Sequence, residues 1–232
     1  MRQPEFDQYA GSYDELLKDP IRDRFGGGGS TFFHRRRRDL IRAYFRQRGV
    51  DTARLSYLDL GCGKGELLTL LLGDFARLAG CDPSSEMLGA AEGVETRQQL
   101  DPEKIPFEDA QFDLVTAAGV FHHVAPMSRL ALAREVTRVL KRGGVFAVLE
   151  HNPYNPVTRL IVSRTPVDDN AILLRQRETR ELLRTAGLAI SAARYFLFFP
   201  EFAYRHTGDA VEAWLREFPL GGQYAVFGRV PK

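Results

Sequence analysis

Glycines at 61, 63 and 65, with Asp59 ahead of them and Glu66 behind, stand where a short apolar run gives way to helical spacing. Glycine tolerates positive φ and lets a ligand approach the backbone with no Cβ between them, so this turn reads as a ligand seat. Its spacing is G-x-G-x-G, and Glu66 falls where the third glycine of G-x-G-x-x-G would be. A pyrophosphate resting on the following helix N-terminus would also be repelled by Asp59. A cofactor carrying a positive ammonium group suits the turn better. Further along, His122 and His123 are adjacent, and His151 precedes Asn152-Pro153-Tyr154-Asn155-Pro156. Imidazole titrates near neutral pH, so these three histidines are the candidates for acid–base or hydrogen-bonding chemistry.

The elements that must position them follow from periodicity. Leu55, Tyr57, Leu58 and Leu60 read as a buried strand and Glu66 to Leu72 as the helix after it. Leu78 to Asp82 is a second strand ending in an acid, followed by Pro83-Ser84-Ser85 and Met87. Phe112 to Thr116 and the apolar run Val145 to Leu149 are further central strands, with a helix over Arg129 to Val139 between them. Residues 3 to 20 carry Phe6, Tyr9, Tyr13, Leu16 and Leu17 at helical spacing, and Phe32 to Gln47 is another amphipathic helix. Gly26 to Ser30 separates the two as a flexible break, a hinge or a plain surface loop. A helix over Leu173 to Thr185, a strand over Leu188 to Phe199, a helix over Ala210 to Phe218 and a strand over Tyr224 to Val230 complete an α/β alternation.

Asp59-Leu60-Gly61-Cys62-Gly63-Lys64-Gly65 resembles the first motif of the class I S-adenosylmethionine-dependent methyltransferases, of the type 11-like small-molecule group. Ala110 to Val124 is the next most similar segment, and the ordered set covers most of the chain. The resemblance implies a three-layer α/β/α sandwich with a Rossmann-like, seven-stranded, mostly parallel sheet. Its antiparallel last strand lies between the fifth and sixth. It implies one methyltransferase domain over 1–232, an N-terminal helical cover over 1–48, and an acceptor-pocket insertion over 200–222. Its cofactor is S-adenosyl-L-methionine. Asp59 and Gly61 then hold the methionine end, Gly63 and Gly65 bind the cofactor with them, and Asp82 takes the ribose hydroxyls. Pro83, Met87, Leu100 and Asp101 lie by the adenine, Ala118 lines the transfer channel, and Tyr9 and Tyr13 close over the cofactor. Simpler readings stand beside these: the tyrosines pack their helix, Ser84 or Ser85 caps a helix, and Met87 fills core.

The loop after the fifth strand belongs at the acceptor, which makes His151, Asn152, Asn155 and Arg159 the acceptor candidates. Asn152 and Asn155 could equally form Asx turns ahead of their prolines. The aromatic segment Phe196 to His206 is read as core first and as a pocket wall second. Methyl transfer to a small molecule, preferably at oxygen, is the expected activity. Transfer to nitrogen or carbon, a catalytically silent cofactor-binding scaffold blocked by Phe196, Phe198 or Phe202, and a nicotinamide oxidoreductase are the rivals.

With 232 residues, 44% hydrophobic and 27% charged, one domain can bury a substantial core. Thirty-two basic against thirty acidic residues, net +2, point away from a nucleic-acid partner. The local exception, Arg35 to Arg38, reads as a solvated helix face, with an anionic contact as the alternative. No apolar run is long enough for a bilayer, and Met1 to Glu5 leads into polar sequence rather than a signal peptide, so a cytoplasmic location without a membrane partner is expected. Cys62 and Cys81 lack histidines or cysteines at ligand spacing, and no metal is expected.

Overall fold

Runs such as Tyr57-Leu58-Asp59-Leu60 and Val145 to Leu149 offer water almost no polar face, so they belong in the middle of a sheet covered on both sides. The computed structural model describes residues 7, 9, 11–88, 93–207 and 210–231. The first part is helical: α1 Tyr13–Leu16, α2 Pro20–Gly26 and α3 Thr31–Arg46. Strands and helices then alternate: β1 Ser56–Leu60, α4 Glu66–Leu70, β2 Arg77–Asp82, α5 Ser85–Leu88, β3 Glu95–Gln98, β4 Phe112–Ala118, α6 Arg129–Val139 and β5 Leu140–His151. After them come α7 Pro156–Val162, α8 Gln176–Thr185, β6 Ala189–Phe196, α9 Glu201–Thr207, α10 Ala210–Leu215 and β7 Gln223–Arg229.

The seven strands run in the order β3-β2-β1-β4-β5-β7-β6. β1 pairs in parallel with β2 and β4, and β4 with β5, while β7 is antiparallel to both β5 and β6. This is the expected Rossmann-like sandwich with its reversed last strand between the fifth and sixth. Adjacent residues on a strand point to opposite faces, so each strand feeds two cores. Leu58, Leu60, Val115 and Val148 pack under α6 and α8 with Val136 and Leu183. Tyr57, Leu114 and Leu149 pack on the other face with Ile41, Tyr44 and Leu68 from α3 and α4. The chain leaves β1 toward β2 and β3, then returns on the other side to β4 and β5. The loops after β1 and β4 therefore part, leaving a crevice at the carboxyl edge of the sheet.

Local chemistry moves several boundaries. The helix predicted over 3–20 is broken, because Asp19 Oδ1 accepts the Ile21 and Arg22 amides at 2.9 and 3.0 Å and caps α2, with Pro20 at its first position. Phe6 lies outside the described residues. Gly27, at φ 68°, ends α2, so the glycine-rich break is a short turn between two helices. Lys141 to Gly144, read as a helix end, belongs to β5, and Lys141 Nζ reaches Asp113 Oδ2 at 2.7 Å. The third strand is the polar segment 95–98 itself. It is an edge strand on which Arg77 and Arg97 both bind Glu95, so charge rather than apolar bulk marks it. α8 starts at Gln176 instead of Leu173, where the Arg175 amide donates to Glu178 Oε2 at 2.7 Å.

Candidate active site

The crevice opens into a cavity of about 580 Å³, within the range of small-molecule sites. Its floor is the loop after β1. Gly61 has φ +67°, and a Cβ there would stand 2.6 Å from Val120 Cγ2, so the turn tolerates no side chain. Gly63, at φ +53°, has nothing within 4 Å of the same position, which leaves a bare stretch of backbone facing the cavity. Gly65 caps α4 from behind at φ 80° and is not part of the wall.

Asp82, at the end of β2, is 8% exposed and lines the cavity. It accepts the Gly63 amide on Oδ2 and the Ser84 amide on Oδ1, both at 2.9 Å, which fixes its carboxylate beside the glycine turn. Burial raises its pKa, and those two amides work against the rise. Ser84 Oγ in turn accepts the Met87 amide, so the helix cap and the ligand wall are one turn, and Pro83 and Met87 both line the cavity. Asp59 does not line it. Its Oδ1 accepts from Thr116 Oγ1 at 2.6 Å, whose hydroxyl also meets Tyr57 at 2.7 Å, in a buried group between β1 and β4.

Leu100 and Asp101 correct the sequence reading, for neither lines the cavity. Leu100 is 75% exposed, and Asp101 turns back to accept the Glu103 amide. Their neighbour Gln99, just past the end of β3, lines the cavity instead: it is 5% exposed, and its amide donates to the Asp82 carbonyl at 2.9 Å. Tyr13 and Ala118 line it, whereas Tyr9 is not among its lining residues.

Arg37 comes from the arginine run. The four side chains diverge: Arg35 pairs with Glu201 at 2.8 Å, Arg36 with Glu212 at 2.6 Å, Arg38 with Asp39 at 2.8 Å, and Arg37 turns inward, 9% exposed. Its Nε donates to Gln223 Oε1 at 3.2 Å, while its terminal amino groups have no hydrogen-bond acceptor among the described residues. The signal was in the spacing, because Phe33, Arg37, Ile41 and Tyr44 fall on one helical stripe. His34 and Arg22 line the same wall, and burial pushes the His34 imidazole down to about 3.

The three candidate histidines converge in the same cavity, beside Arg37. His122 Nδ1 meets Glu150 Oε2 at 2.5 Å, and Glu150 Oε1 accepts the Val120 and Phe121 amides at 3.0 and 2.7 Å. His122 and His123 ring centroids are 4.1 Å apart, those of His122 and His151 5.2 Å. Both paired imidazoles face Asp168, a residue 46 and 45 positions further on that no sequence spacing connects to them. Burial would lower His122, but the Glu150 and Asp168 carboxylates outweigh it and raise the group to about 9. Burial, reinforced by His122, pushes His151 down to about 4, so it is neutral at pH 7.

Of the acceptor candidates His151 and Asn155 line the cavity, and the polar atoms of Asn155 are engaged locally: Oδ1 caps α7 by accepting the Thr158 amide at 2.9 Å, and Nδ2 donates to the Leu220 carbonyl at 2.7 Å. Asn152 is fully buried, accepts the Tyr154 amide and donates to the Pro219 and Gly221 carbonyls, so the Asx-turn alternative describes it. Arg159 is exposed on the far side of α7 and borders a separate surface groove. Among the described residues of 200–222 only Gly222 lines the cavity. Phe202 is 64% exposed and Phe196 is core, while Phe198 lines the wall and leaves the volume open. The residues fit an adenosyl amino acid: a buried carboxylate for a ribose diol beside bare glycine backbone, and a guanidinium fork for a carboxylate.

Residues 58–148 match the family described as the methyltransferase domain. The chain is 36% identical over 102 residues to an uncharacterized methyltransferase of Synechocystis, covering 42% of this chain and 48% of the relative. It is 36% identical over 115 residues to the chloroplastic 2-phytyl-1,4-beta-naphthoquinone methyltransferase of Arabidopsis thaliana, covering 42% of each. These matches span less than half of the relatives' length. The crystal structure of an S-adenosylmethionine-dependent methyltransferase from Thermotoga maritima superposes over 97% of both chains with a TM-score of 0.68 at 17% identity, a likeness of fold.

Proposed function

We propose that this chain, which has the class I S-adenosylmethionine-dependent methyltransferase fold and carries a methyltransferase domain over 58–148, methylates a small molecule at oxygen. The fold and the matched domain make S-adenosylmethionine the cofactor, and it supplies a methyl group activated on a sulfonium. The observation that carries the proposal is the single cavity that joins the glycine turn and Asp82 to His122, His123 and His151, with Arg37 beside the histidines: its Nη2 and His122 Cε1 are each 3.7 Å from where a Cβ on Gly119 would stand.

In this reading Gly61 and Gly63 leave room for the methionine moiety, Arg37 takes its carboxylate, Asp82 accepts from the ribose hydroxyls, and Met87 and Gln99 flank the adenine. Ala118 and Gly119 leave space for the acceptor to reach the methyl group in line, and holding the two partners at about 3 Å supplies much of the rate. Tyr13 and Leu17 of the N-terminal cover close the opening. The acceptor oxygen gives up its proton to His151, the imidazole that burial keeps neutral at pH 7. Apolar walls from Phe25, Phe33, Ile161 and Val167 favour an acceptor with a hydrocarbon or ring body. The same walls favour transfer to carbon as the second reading. Both cysteines are free and buried, in keeping with a reducing compartment, and we place the protein in the cytoplasm. No helix among the described residues is long and apolar enough to cross a membrane.

Calorimetric titration with S-adenosylhomocysteine tests the cofactor end. Wild type should bind with a Kd on the order of micromolar, about 8 kcal/mol. Asp82→Ala should weaken this by about 1.5 to 3 kcal/mol, the usual worth of hydrogen bonds to a charged group. Absence of binding in the wild type, or competition by a nicotinamide cofactor alone, overturns the proposal.

A further inference from the structure

His122 and His123 are adjacent in sequence, yet both aim Nε2 at one oxygen, Asp168 Oδ1, each at 3.4 Å. A well-formed N–H···O bond is about 2.9 Å, so both contacts are long for hydrogen bonds. A tetrahedral cation with bonds of about 2.1 Å to imidazole nitrogen and carboxylate oxygen has ligand-to-ligand edges of about 3.4 Å. One ligand atom from each of the three residues lies within 4.8 Å of the others, and all three residues line the cavity. We propose that His122, His123 and Asp168 form a three-ligand site for a first-row divalent cation, with its remaining position open to the acceptor end of the cavity.

The surroundings are built for this. Glu150 holds His122 from behind through Nδ1, which sets Nε2 as the outward atom, and the Val120 and Phe121 amides fix Glu150 in turn. A carboxylate behind a ligating imidazole is the usual outer-shell support of a metal site. Asp168 ends the short 3-10 turn Pro166–Asp168, and the Ile172 amide donates to the His122 carbonyl at 2.8 Å, so the loop that brings the carboxylate is tied to the histidine it faces. Two carboxylates around neighbouring imidazoles make a field that favours a cation, and the metal ion takes the place of the proton that this field holds on His122, releasing it to solvent. Two nitrogens with one oxygen suit zinc, iron, cobalt or nickel better than magnesium, calcium or manganese, which prefer oxygen shells. The site itself stands on this geometry. Its use, polarising an acceptor oxygen so that its proton departs more easily, rests on the methyl-transfer reading.

The test uses full-length protein stripped with a chelator and then titrated with Zn²⁺ by calorimetry and with Co²⁺ by visible absorption. S-adenosylhomocysteine binding is measured on the same samples. One ion per chain and a Co²⁺ d–d band are expected. Asp168→Asn and His123→Asn should each weaken uptake by about 100-fold, since losing even an outer-shell partner costs about 10- to 100-fold, and both should keep S-adenosylhomocysteine affinity within about twofold, which also reports that they fold. No stoichiometric uptake by the wild type, or undiminished uptake by both variants, overturns the site. Metal uptake without S-adenosylhomocysteine binding would instead leave the site standing and remove the methyltransferase reading.

Discussion

Asp59 is 3% exposed, and burial raises its carboxyl from 3.8 to about 7, against the opposing pull of the Thr116 and Tyr57 hydroxyls and Arg37. The folded chain therefore holds this proton more tightly than the unfolded chain. The stability linked to it is fully present below pH 4 and is lost as pH rises from 4 to 7, by about 4 kcal/mol at most. Chemical denaturation of the ligand-free protein across that range should show Asp59→Asn losing less stability with rising pH than wild type. Equal slopes would mean that Asp59 is already ionised in the fold. Gly61, Gly63 and Asp82 could be placed at the cavity from the chain because their chemistry is local to one turn and one strand end, whereas Asp59, expected beside them, is taken up by Thr116 between β1 and β4. Asp168 and Glu150 were not, because their importance lies in facing His122, and a contact between distant positions leaves no spacing to read.

Among the elements, α9 and α10 are joined to α3 by one buried carboxylate. Glu212 accepts from Arg36 at 2.6 Å, from the Leu197 amide at 2.8 Å and from the Tyr204 hydroxyl, while Arg36 also lies over the Tyr204 ring at 4.1 Å. Removing one partner of a buried pair leaves the other charge uncompensated, at a cost of about 3 to 5 kcal/mol. Glu212→Ala should lower the urea midpoint accordingly, whereas a change under 1 kcal/mol would show α10 to be loosely held. This role also explains why residues 200–222, expected at the acceptor, stay behind the wall: their polar groups serve to hold α3, the helix that presents Arg37. Element types were read well where apolar periodicity is strong, as in β1, β4, β5 and α6. They were read poorly where one residue overrides a pattern, as Asp19 does by capping α2 inside a helical-looking run.

For the whole molecule, the cavity draws walls from α1, α2 and α3, from the loops after β1, β2, β4 and β5, and from α7. A ligand seated there binds only the assembled fold, so saturation stabilises all of it: at 100 times Kd the gain is about 2.7 kcal/mol, or about 5 to 10 °C in Tm for a chain of this size. A thermal scan with S-adenosylhomocysteine should show that shift. An unchanged Tm at saturation would mean that these walls do not form one site. The amino-acid sequence by itself determined the α/β alternation, the glycine turn with its acid at Asp82, and the histidines, because hydrophobic period, positive φ and strand ends are properties of a few consecutive residues. Only the tertiary structure decided that Gln99 rather than Leu100 or Asp101 meets the cavity, that Arg37 leaves its run to point inward, that Arg159 faces away, and that Asp168 joins the paired histidines. Those facts depend on which side of a packed element faces the crevice, and packing against distant parts of the chain settles that.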